Sequence, residues 1–197
     1  MISLKEYLIE GILDVEDNLD KDYIKIQIED FIKENYKITG KLKINLIKDK
    51  YIVNCNKRVE VKTKDIKSLT NGFFEWGEVN GLFNCSYCHS LQSLEGSPKE
   101  VGGSFDCSHC DKLQSLEGAP KEVGGNFFCD HCPLLQSLEG APKEVGGDFD
   151  CSHCDKLQSL EGSPEKVGGD FICKKCGEIF TVENVKEVCK VKKCIYV

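Results

Sequence analysis

The chain has 197 residues, 40% apolar and 30% charged, an ordinary length for one or two globular domains. Its net charge of -7 comes without the basic stripe that phosphate binding requires, so nucleic acid is not an expected partner. No run of about 18 apolar residues occurs and the N-terminus lacks a basic-then-apolar plan, so neither a membrane span nor export is expected; the thirteen cysteines are then read as cytoplasmic thiols or metal thiolates.

The first element is the peptide MISLKEYLIEG, in which Leu8-Ile9-Glu10 is followed by Gly11. Its M-x-x-x-x-E-x-φ-x-E start resembles the capsid-targeting peptides of internal head proteins in large tailed phages. That resemblance implies a targeting peptide over 1–10, processing between Glu10 and Gly11, and residence in the virion interior or the host cytoplasm. An ordinary amphipathic helix is the other reading.

Residues 23–37, YIKIQIEDFIKENYK, place Ile24, Ile28, Phe31 and Ile32 at helical spacing, which predicts an amphipathic helix beginning near Asp20. KLKINLIK and KYIVNCN then alternate apolar with polar across a tight turn and predict a hairpin, with Cys55 half-buried in it. Residues 1–56 thus form an N-terminal cap. Over 57–82 the chain carries a degenerate first rung, in which Ile66, Ser68 and Leu69 match a later motif, and an aromatic insertion with Phe73, Phe74 and Trp76 that plugs the end of the stack.

From residue 83 to 170 a 22-residue unit recurs four times, as in FDCSHCDKLQSLEGAPKEVGGN. A fixed period of this size marks a solenoid whose rungs bury their apolar faces only against one another. Within the third copy Phe127 and Cys129 alternate with Phe128 and Asp130, and Cys132, Leu135 and Leu138 continue the inward series. The F-x-C-x-x-C-x-x-L-x-S-L segment resembles the L-x-L-x-x-N-x-L segment of leucine-rich repeats over residues 57–176, with one extra residue before the next leucine. The extra residue leaves a curved and a flatter β-solenoid both open. Arrays of this L-x-S-L-E-G-A-P-K-E-V-G-G type also resemble those of tailed-phage proteins. Residues 171–197 hold a fifth, partial repeat and a C-terminal cap, with a helix starting at Thr181 and a final strand over 192–197. The expected fold is therefore a repeat solenoid, mainly β and leucine-rich-repeat-like, with an α+β N-terminal cap and a short helix-strand C-terminal cap.

The cysteines admit two readings. Cys85, Cys88, Cys107, Cys110, Cys129, Cys132, Cys151 and Cys154 are either an interior ladder of small apolar side chains or, paired across adjacent rungs, four-thiolate zinc sites. Zinc is the leading candidate cofactor, with disulfides or an iron-sulfur cluster as further alternatives, since a structural zinc site contributes roughly 10 to 16 kcal/mol and would support a thin core. A separate terminal set, Cys173, Cys176, Cys189 and Cys194, has the look of a zinc-ribbon knuckle with two further ligands.

The outward columns are where the copies differ. Asn84, Asp106, Phe128 and Asp150 form one, Ser86, Ser108, Asp130 and Ser152 a second, and Tyr87, His109, His131 and His153 a third. The leucine-rich-repeat resemblance implies that this sheet is a recognition face. No nucleophile sits beside a unique base and no glycine pair follows a phosphate-loop pattern, so no enzyme is expected. The expected function is a non-enzymatic interaction or structural module that binds a protein partner through Asn84, Tyr87, Asp106, His109, Phe128, Asp130, His131, Asp150 and His153. The alternative is a zinc-binding protein.

Overall fold

The computed structural model describes residues 19–48 and 50–197, so the expectations for Glu10 and Gly11 fall outside the described residues. Helix α1 (Leu19–Asn35) runs straight into strand β1 (Tyr36–Thr39), earlier than the expected helix end at residue 37. The predicted hairpin forms as β2 (Leu42–Ile47) and β3 (Lys50–Cys55), antiparallel throughout, with Cys55 fully buried. β4 (Arg58–Val61) and β5 (Phe74–Val79) complete the degenerate rung.

Each regular rung then contributes two strands of only two residues. The Phe-x strands are β6 (Phe83–Asn84), β8 (Phe105–Asp106), β10 (Phe127–Phe128), β12 (Phe149–Asp150) and β14 (Phe171–Ile172). Between them lie β7 (Glu100–Val101), β9 (Glu122–Val123), β11 (Glu144–Val145) and β13 (Lys166–Val167). All stack in parallel, and the described residues form two facing eight-stranded sheets, a Phe sheet and a Val sheet. The sequence reading anticipated the first and missed the second.

Strands this short persist because the backbone ladder outlasts them. On the Phe side the amides of Phe127, Cys129 and His131 donate to the carbonyls of Asp148, Asp150 and Ser152 at 2.8, 2.9 and 2.9 Å. A further ladder runs through side chains at the corner before each phenylalanine. There the Asn126 amide donates to Ser104 Oγ, Asp148 to Asn126 Oδ1, Asp170 to Asp148 Oδ1 and Cys194 to Asp170 Oδ1, at 2.8 to 3.0 Å. From Ser104 to Asp170 each such corner carries a side-chain acceptor that gives the next rung's amide a partner, whereas Leu82 before Phe83 carries none.

The core is a set of columns. Phe83, Phe105, Phe127, Phe149 and Phe171 stack with centroids 5.2 to 5.5 Å apart, and the two leucines of every L-x-S-L are buried beside them. At the N-terminal end Tyr36 and Trp76 pack edge to face at 5.2 Å and both donate to the Leu69 carbonyl, closing the stack beneath α1. β1 and β2 run antiparallel to β4 and β3, so both sheets end there on a reversed strand instead of a bare parallel edge.

At the other end Thr181 caps α2 (Val182–Val188) through a reciprocal capping box with Asn184, as its position predicted. Of the expected final strand over 192–197 only Ile195–Tyr196 forms, and a further short strand precedes it. β15 (Lys190–Val191) joins the Val sheet, β16 (Ile195–Tyr196) joins the Phe sheet, and residues 192–194 form the corner between them.

Candidate functional site

The inward series is as expected: all eight cysteines of the four complete repeats are inaccessible to solvent. They interlock rung to rung as thiol donors. Cys110 donates to the Cys85 carbonyl, Cys132 to Cys107, Cys154 to Cys129 and Cys176 to Cys151, at 3.3 to 3.4 Å. Burial pushes the thiols of Cys85, Cys107, Cys129 and Cys151 well above their ordinary range, and those of Cys88, Cys110 and Cys154 up to about 11, 12 and 12. These are protonated core groups.

A zinc site needs at least three donors converging on one point, and among the described residues no three cysteine sulfurs come within 4.8 Å of one another. The inter-rung quartets are therefore not assembled. Nor is the terminal set, in which Cys173 and Cys189 are buried, Cys176 is half-buried and Cys194 is exposed. A hydrogen bond from Cys151 holds the Cys176 thiol below its ordinary value.

The outward columns carry the distinctive geometry. Tyr87, His109, His131, His153 and Lys175 all have φ between 53° and 60°, the left-handed region that non-glycine residues seldom occupy. The corners at Tyr87, His109 and His153 are braced by the column three residues earlier, while His131 and Lys175 hold the same φ with Phe128 and Ile172 there. Asn84 and Asp106 each use Oδ1 to accept both the amide and the hydroxyl of the serine two residues on, and Asp150 accepts the Ser152 amide at 2.9 Å. Ser86, Ser108 and Ser152 are consequently buried, which corrects their placement on the outer face. Asn84, Asp106 and Asp150 are half-buried turn makers more than free contact groups.

Held in this conformation, the rings stack. Tyr87 lies on His109, His109 on His131 and His131 on His153, with centroids 4.3 to 4.4 Å apart and planes within 14° of parallel. Tyr87 and His131 are exposed, while His109 and His153 are half-buried.

Besides Pro133-Leu134 in place of Asp-Lys, the third copy breaks the pattern on the outer strand face in two linked places. Phe128 stands where the turn carboxylate should be, and Asp130 stands where the serine should be. Asp130 is thereby released from turn building, and its Oδ2 lies 2.8 Å from His131 Nδ1. His109, Asp130 and His131 each offer a donor atom, and the three lie within 4.8 Å of one another.

Two grooves, of about 470 and 210 Å³, lie against the opposite sheet and are lined by its Glu, Val and Gly residues, with lysines in the larger. Among the described residues no helix is long and apolar enough to cross a membrane. Comparison of the chain with protein-family models, curated proteins and solved structures returns no match.

Proposed function

We propose that the chain is a non-enzymatic recognition module that docks a protein partner on the outer face of the Phe sheet. The observation that carries this is the ring ladder of Tyr87, His109, His131 and His153, fixed by stacking and by corner geometry. Rings that are already ordered lose little entropy on binding, and aromatic side chains are enriched at interface centres. Asn84, Asp106, Phe128, Asp130 and Asp150 border the ladder with half-buried acceptors and one apolar ring. Groups repeated at each rung suit an extended partner better than a single small substrate.

Asparagine tolerates left-handed backbone, so His109→Asn, His131→Asn and His153→Asn together remove the ring stack below Tyr87 while sparing the corners. Cross-linking and pull-down should lose the partner in this variant. Retention of every partner by a folded triple variant would overturn the reading.

Leucine-rich-repeat kinship and phage origin form a finer proposal, resting on the repeat motif and on the Met1 to Gly11 peptide. Under it the protein is packaged in the head, or stays in the host cytoplasm, and is cut after Glu10. Mass spectrometry of purified virions should find a mature N-terminus at Gly11; only the uncut chain, or none, rejects it.

A further inference from the structure

The geometry points to a divalent transition-metal site on the outer face of the solenoid, formed by His109, Asp130 and His131, with zinc as the representative ion. Two imidazoles and one carboxylate are a donor set suited to zinc, nickel, copper or cobalt, with open positions left for water or a partner's side chain. Metal-ligand bonds of roughly 2.1 Å place two ligands of one ion at most roughly 4.2 Å apart. The three donors, within 4.8 Å as they stand, need a small contraction and a turn of one imidazole to meet on one ion.

The linked change in the third copy supports the same site independently. In the second and fourth copies the Asp-Cys-Ser-His order commits the carboxylate to the turn, through Asp106 and Asp150. In the third copy the order is Phe-Cys-Asp-His, and the carboxylate faces the imidazole of His131 and approaches that of the preceding rung. Neither change helps the core, because both positions lie outside the inward series. The left-handed corners hold His109 and His131 side by side with rings 4.4 Å apart and near-parallel planes, so one imidazole has to turn out of the stack for both in-plane lone pairs to reach one ion. This site lies outside the cysteine interior and does not depend on whether a protein docks on the face.

The test is titration of the full chain with zinc(II) by calorimetry and with cobalt(II) by absorption. One equivalent should bind, and the cobalt spectrum should show no thiolate charge-transfer band. The double variant Phe128→Asp with Asp130→Ser gives the third copy the order already present in the second and fourth, so it should fold with an unchanged melting profile. It should weaken zinc binding at least about tenfold, the scale on which even a supporting residue of a metal site acts. His131→Asn should do the same, and His153→Asn, one rung further on, should leave affinity within about twofold. Absence of saturable binding, undiminished binding in the folded double variant, or a thiolate band with cobalt would each overturn the assignment.

Discussion

At the residue scale, the C-x-x-C corner divides labour between a buried thiol ladder and a left-handed outer residue. The thiols are inaccessible and protonated, so a thiol reagent should modify the native protein quickly only at exposed Cys194 and more slowly at half-buried Cys176. Denaturant should release the remainder of the thirteen. Rapid native reaction of many sulfurs would mean the rungs do not pack as described. The outer residue is tested by shape: at His153, φ 56° excludes β-branched side chains. His153→Val should lower stability by about 1 to 2 kcal/mol in urea denaturation, whereas His153→Asn should stay within about 0.5 kcal/mol. Local sequence hid this conformation, because no glycine marks it. The available signal was the Asn or Asp three residues earlier, which builds the corner.

At the scale of the rung, the E-G-x-P turn works because a glycine there satisfies two demands. Gly140 has φ 86°, and a Cβ on it would sit 2.6 Å from Glu117 Cα of the rung before. Gly72, in the degenerate rung, has φ 88° but open space around it. Gly72→Ala should therefore cost only backbone strain, about 1 kcal/mol, while Gly140→Ala adds a steric clash of about 1 to 3 kcal/mol. Equal losses in thermal or chemical denaturation would show that rung spacing is not the constraint. The rung was legible in part from its sequence. Phe127, Cys129, Cys132, Leu135 and Leu138 betray their side by spacing of two and then three. Glu144 and Val145 betray nothing, since two residues carry no period; they become a strand only by stacking on Glu122 and Val123, 22 positions away. The corner acceptors Ser104, Asn126, Asp148 and Asp170 were missed for the same reason: each meets its partner only across rungs.

For the whole molecule, the stacking direction decides what the cysteines can do. Sequence spacing brought each C-x-x-C pair together, but convergence of two pairs depends on how successive rungs lie, and stacking leaves the sulfurs in columns with carbonyl partners. The consequence is a protein that is sensitive to alkali. In the unfolded chain a thiol ionises near pH 8.5, whereas in the folded stack Cys88, Cys110 and Cys154 hold their protons up to about 11, 12 and 12. Between these limits the folded state binds more protons than the unfolded state, so stability falls as pH rises. Below about pH 8.5 the contribution is complete. Above it, each such thiol removes about 1.4 kcal/mol per pH unit, and these three together remove about 4. Against a typical total of about 5 to 15 kcal/mol, the solenoid should unfold cooperatively within a few pH units above 8.5. Urea denaturation at pH 8, 9 and 10 should therefore give a slope between the last two of at least about 4 kcal/mol. Thiolates already ionised in the folded state, as metal ligands are, would give a slope near zero, and that result would return the cysteines from core to ligand.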